Sequence, residues 1–327
     1  MRKRRMMAAL LSSAVITLTA CNSKPQEAGT TEVEGTTIEM PKVDVNRDLS
    51  QFELKEEDTI REMEAKIEKK YDIDVVYGND IRTRFDEEED DLRATVYTDE
   101  AGIKTALQTL DNALKVLPRG LIAQIADPKR GILKIYLLGA VGQGENGPES
   151  GAYPAFTDFE DRELFLAIDI SLDGFINPPD ILHEMTHVID FKMQALGHLR
   201  EEDWNKFNPE GFTYYIDYEK YYKNEIPKDY SYTEFHYVPR LLEQDPNDVY
   251  FLYNYAEINA WEDRATLLEP LMIYKALGNN TIAPDFYTFP HIRAKIDYLL
   301  KEVTNTFELN AEDVASWKQS LEKMSSK

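Results

Sequence analysis

The sequence predicts a mixed α+β fold with a mostly helical C-terminal half. Three observations predict it. Apolar residues recur at helical spacing in 56–70 and 100–117. Short apolar runs bounded by turn residues fill 73–77, 132–138 and 164–170. Helical patterning dominates after residue 176. In chain order this gives helix, strand, helix, strand, a Gly-rich loop, strand and a helix over 178–197. A small twisted sheet over that last helix is the expected arrangement.

Helix 56–70 puts Ile60, Met63 and Ile67 on one stripe. The strand from Ile73 to Tyr77 is ended by Gly78-Asn79. The acidic run 86–91 lacks the glycine and the alternation of a calcium loop, so it reads as a solvated face. Helix 100–117 repeats Ile103, Leu107, Leu110, Leu114 and Leu117 until Pro118 stops it. The strand from Leu164 to Ile170 is apolar apart from Asp169, and it is the expected edge strand that pairs with an extended substrate.

Glycines 139, 142, 144, 147 and 151 make the stretch before that strand a loop. Gly142-Gln143-Gly144-Glu145-Asn146-Gly147 matches G-x-G-x-x-G, but Pro148 follows it and no helix. A phosphate cradle needs a helix N-terminus there, so the stretch reads as a loop bordering a cleft. Further on, Tyr214, Tyr215, Tyr218, Tyr221, Tyr222, Tyr230, Tyr232 and Tyr237 crowd one segment. It reads as an amphipathic cover with its hydroxyls in water rather than an aromatic wall for a ligand. Ile292, Ile296, Leu299 and Val303 mark a helix over 290–304, and Val314, Trp317 and Leu321 another over 311–324.

The first twenty residues read as a targeting segment. Arg2, Lys3, Arg4 and Arg5 precede an apolar stretch too short to span a bilayer. Leu18-Thr19-Ala20-Cys21 then resembles the bacterial lipobox, in which the cysteine becomes the lipidated N-terminus. Cys21 is the only cysteine, so no intrachain disulfide and no Cys-ligated metal site can form. The polar residues 21–48 form a flexible tether, and a folded domain occupies 49–327, α/β to about 175 and helical from 176. Loss of residues 1–20 leaves 33 basic against 60 acidic side chains, a formal charge of −27. Such a surface repels nucleic acid and anionic lipid, so membrane association falls to the N-terminal lipid alone.

The chemistry concentrates in His183-Glu184-Met185-Thr186-His187, an H-E-x-x-H pattern. Asn177 can cap the helix, Pro178 suits its first turn and Gly197 its end. Positions i and i+4 share a helix face, so the two imidazoles can bind one Zn²⁺. Glu184, beside them, can take a proton from a water the metal activates. A catalytic zinc site needs a third protein ligand. No H-E-x-x-H-x-x-G-x-x-H continuation supplies it, since Met193 stands at the third His position. His198 lies past the expected helix end. Asp190 shares the histidine face only one turn beyond His187, which suits support of the ligands rather than ligation. A downstream carboxylate remains, and Glu257 and Glu262 both qualify.

Glu262-Asp263-Arg264-Ala265 resembles the E-D-x-A ligand helix of the zinc-binding metallopeptidases found among bacterial lipoproteins, distant relatives of the anthrax lethal factor catalytic domain. Asn208-Pro209-Glu210-Gly211-Phe212, Tyr255-Ala256 and the H-E-x-x-H helix with Asp190 also resemble that family, over roughly residues 100–275. The resemblance implies a zincin-like fold and a gluzincin-type endopeptidase acting on proteins or peptides. It implies Glu262 as third ligand, with Glu257 the runner-up, and a catalytic role for Tyr255. The chain departs from the pattern in three places. Thr266 replaces the acidic residue that often follows E-D-x-A, Pro270 is expected to kink or end the ligand helix, and the Tyr-rich segment lengthens the gap after the histidines. The rival expectation is a non-catalytic lipoprotein of a surface import system, with a vestigial or structural zinc site.

Overall fold

The computed structural model describes residues 47–84, 92–125, 133–143, 155–160, 163–171, 177–214, 245–277, 288–307, 309–312, 314–315 and 317–319. The targeting segment, Cys21, most of the tether, the acidic run and the Tyr-rich segment beyond Tyr214 lie outside these residues.

Helix α1 (Ile60–Tyr71) starts where Thr59 and Glu62 exchange bonds in a capping box. It ends at Asp72, which takes the left-handed conformation at φ 57°. Strand β1 (Asp74–Tyr77) follows. Beyond the short strand β2 (Leu92–Ala94), Asp99 caps helix α2 (Glu100–Leu114). Ile103, Leu107, Leu110 and Leu114 form the buried stripe of α2. A short helix α3 (Arg119–Ile125) comes next, restarting behind Pro118, a position where proline suits a helix start.

Strands β3 (Lys134–Leu138), β4 (Val141–Gln143), β5 (Ala155–Glu160) and β6 (Glu163–Asp169) complete the α/β part. The main sheet has the order β1-β3-β6-β5, with β1, β3 and β6 parallel and β5 antiparallel to β6. Ile135 pairs with Leu166 and Leu137 with Ile168, so alternate residues face one core. That core is made by Ile135, Leu137, Leu166 and Ile168 with α1, α2 and the motif helix. The other face carries Tyr136, Leu138, Phe165 and Ala167. Burial on both faces is why β3 and β6 read as continuous apolar runs.

Two expectations are corrected here. β6 is an interior strand, flanked by β3 and β5, and the outer strand is β5. The stretch read wholly as Gly-rich loop contains β4, where the G-x-G-x-x-G match begins, and β5 follows it. Ala155-Phe156-Thr157-Asp158-Phe159-Glu160 has no apolar run to announce a strand, because its partner β6 supplies the ladder.

Motif helix α4 (Pro178–Ala195) packs against the sheet, and Ile181, Leu182, Met185, Val188, Ile189 and Met193 are all buried. After α5 (Glu201–Trp204), the α-helices among the described residues of the C-terminal half are α6 (Ala260–Leu277), which packs on α4, and α7 (Pro290–Thr306). Trp317, expected to anchor a last helix, is buried in the same core. The architecture is mixed α+β. Among the described residues no helix is long and apolar enough to cross a membrane.

Asp169, at the end of β6, has one oxygen satisfied and one not. Oδ1 accepts from Ser171 N–H at 2.8 Å and from its hydroxyl at 2.6 Å, whereas buried Oδ2 has no hydrogen-bond partner among the described residues. Burial pushes this carboxyl above its ordinary value, and the Ser171 bonds oppose that only in part. A raised folded-state pKa contributes stability that is full below the unfolded value and lost as pH rises through the folded one. Asp169→Asn is therefore expected to gain on the wild type in denaturant titrations as pH rises from about 4, the ordinary carboxyl value, through the raised folded-state value. Parallel pH dependence of the two proteins would rule this explanation out.

Candidate metal centre

The helix carrying the motif is bounded as its sequence requires. Asn177 accepts the N–H of Asp180 at 3.2 Å, and Pro178 opens the first turn. At the other end Gly197 adopts φ 72°. Its N–H bonds the Gln194 carbonyl at 2.8 Å, and the His198 N–H bonds that of Met193 at 3.0 Å. These are the paired bonds of a Schellman stop. His198 thus belongs to the helix end and is exposed, outside the cluster of the motif histidines.

One turn apart on α4, His183 and His187 set their rings edge to face at 5.0 Å. The facing helix is α6. Asn259 caps it, accepting the Glu262 N–H at 2.8 Å, which fixes Glu262 in the first turn. Glu262 is fully buried. Its Oε2 lies 3.3 Å from Nε2 of His183 and 3.5 Å from Nε2 of His187. Ligands held about 2.0–2.1 Å from a tetrahedral zinc stand about 3.4 Å apart, so these separations fit a shared metal. Nε2 of His187 is buried with no hydrogen-bond partner among the described residues, as a metal-facing nitrogen would be. The two-histidine, one-carboxylate set suits Zn²⁺ with an open fourth position.

The runner-up, Glu257, is also buried but sits on a 3-10 turn (Asn254–Glu257) ahead of α6. Its charge acts on Lys295, and it is not in the His183–His187–Glu262 cluster. Tyr255, on the same turn, donates its hydroxyl to Oε1 of Glu262 at 3.0 Å. It therefore touches the carboxylate that faces the histidines.

Asp190 bonds neither histidine. It accepts from Gln194 at 3.2 Å and from Arg264 Nε at 2.7 Å, with Arg264 Nη2 at 2.6 Å. Asp190 instead pairs with Arg264, which ties α4 to α6. Asp263 ties α6 to a third region. Its Oδ2 accepts from Trp204 Nε1 at 3.0 Å, Tyr214 Oη at 2.8 Å and Lys295 Nζ at 2.7 Å. Tyr214, expected to keep its hydroxyl in water, spends it inside the protein. Burial favours neutral Lys295, and the Asp263 charge beside it opposes this.

Pro270 does not end the ligand helix, and α6 runs on to Leu277. Burial of Leu267, Leu268, Leu271 and Met272 holds the helix across the missing N–H. The uninterrupted helix brings Glu269 to the site, with Oε2 3.1 Å from Nδ1 of His183. Sequence reasoning missed this residue. Its signal was the seven-residue spacing from Glu262, about two helical turns.

Electrostatics follow from burial and proximity. For His183 burial opposes the charged form, but the Glu262 and Glu269 carboxylates outweigh it and hold the imidazole well above its usual value. For Glu262 burial works upward, yet the two histidines hold it well below the carboxylate range. Burial pushes Glu184 up to about 7, against the pull of both histidines. Asp180 is likewise pushed to about 7 by burial, with the Glu269 charge adding to it. An enclosed, poorly solvated group of acids and imidazoles of this kind is the environment in which proton transfer and metal binding are tuned. Comparison with protein families, with curated proteins and with solved structures finds no match for this chain.

Proposed function

We propose that the chain is a zinc metallopeptidase of zincin-like, gluzincin type, held outside the cytoplasm by a lipid on Cys21. The observation that carries this reading is the meeting of three donor atoms, from His183, His187 and Glu262, at separations suited to one tetrahedral ion. When bound, zinc supplies Lewis-acid activation of a water and polarisation of the peptide carbonyl. Glu184, adjacent to the first histidine and buried, takes the proton of the attacking water and delivers it to the leaving amine. Tyr255 holds the outer oxygen of Glu262, so that Oε2 faces the two imidazoles. Among the described residues β5 has no strand on its outer side, and it lies beside α4. Such an edge supports binding of an extended protein or peptide segment by β-augmentation.

The ligand assignment is tested by metal content and peptide hydrolysis in Glu262→Ala beside Glu257→Ala. The first is expected to lose zinc and activity together. The second is expected to retain zinc. Zinc retained in Glu262→Ala and lost in Glu257→Ala would overturn the choice of third ligand.

A further inference from the structure

His183 meets a carboxylate on each side of its ring. Nε2 lies 3.3 Å from Oε2 of Glu262, and Nδ1 lies 3.1 Å from Oε2 of Glu269. A neutral imidazole has one N–H and one lone pair, and only the lone pair can bind a metal. With the proton on Nδ1, the ring donates to Glu269 and turns its Nε2 lone pair toward the point that His187 and Glu262 also face. The other tautomer would aim an N–H at that point and set a lone pair against the Glu269 oxygen.

We infer that Glu269 is the positioning residue of the site, an anionic clamp on Nδ1 that selects the ligating tautomer and fixes the ring plane of His183. The inference rests on the zinc reading above. Its geometry is built into α6. Seven residues turn a helix through roughly 700°, about 20° short of two turns, so Glu262 and Glu269 share a face. One helix thereby addresses both nitrogens of one imidazole. The nearer position, Thr266, carries no charge and so cannot be an anionic clamp, and its hydroxyl donates to the Asp263 carbonyl at 3.0 Å. Glu269 precedes Pro270, a place where helical backbone is disfavoured, yet the helix is kept there. The contact is also sheltered, with the side chains of His183 and Glu269 only 17% and 23% exposed.

The test measures zinc affinity by competition with a chromophoric chelator in the wild type, Glu269→Ala and Glu269→Gln. Long-range ¹⁵N NMR reports the His183 tautomer in each zinc-loaded chain. Loss of a carboxylate behind a ligating histidine weakens metal binding about 10–100-fold, and Glu269→Ala is expected to do so. Glu269→Gln keeps an oxygen acceptor and the side-chain shape, so it is expected to fold and to lose less. In the wild type the NMR is expected to show the proton on Nδ1, and in Glu269→Ala that proton is expected to exchange faster. Unchanged zinc affinity and unchanged Nδ1 proton exchange in Glu269→Ala would overturn the clamp while leaving the zinc site standing. A wild type that binds no zinc would instead overturn the zinc reading itself, and the clamp with it.

Discussion

Glu184→Gln is expected to keep zinc and to lose peptide hydrolysis, with kcat/KM lower by roughly 10²–10⁴-fold. The amide has the size and shape of the carboxylate but cannot accept a proton at neutral pH. Glu184 is not one of the three clustered donors, so its replacement leaves His183, His187 and Glu262 in place. Metal analysis of the purified variant and hydrolysis of an unstructured protein substrate measure the two halves of the result. Retained activity in a zinc-loaded variant would remove Glu184 from the mechanism. A wild type that binds zinc but hydrolyses no member of a diverse peptide set would favour the non-catalytic lipoprotein instead.

Asp263→Ala destabilises the fold by about 3–5 kcal/mol, the usual cost of leaving one member of a buried ion pair alone. Lys295 and Asp263 are both fully buried, and the same carboxylate oxygen also serves Trp204 and Tyr214. Removing it strands an ammonium and takes an acceptor from the indole N–H and the phenol, which still bond each other at 3.0 Å. Lys295→Met alone strands the carboxylate and is also strongly destabilising. The double variant Asp263→Ala with Lys295→Met is expected to recover part of the loss, because no lone charge remains. Denaturant unfolding of the four proteins gives the coupling. Losses that simply add would mean that the two charges do not act as a pair. Arg264 and Asp190 obey the same logic at the α4–α6 contact.

Much of the site was legible because its information is local. H-E-x-x-H spacing places two imidazoles on one helix face wherever that helix goes, and the cap residues Asn177, Pro178 and Gly197 bound it from their own chemistry. Glu262 and Glu257 could not be separated by spacing alone. They differ in whether the backbone around them has entered a helix, and that depends on the Asn259 cap and on packing against α4. The same holds for Asp190, whose partner Arg264 lies 74 residues away.

The sequence by itself determined the α+β class, the helix that carries the histidines with Glu184 beside them, and the apolar interior strands, because each follows from short-range periodicity or from a cap. Only the tertiary structure decided that β5 and not β6 forms the edge, that α6 continues through Pro270, and that Glu269 closes on His183. Strand order, survival of a helix across a proline and the meeting of side chains from two helices are settled by burial between distant segments. No local window of residues contains that information.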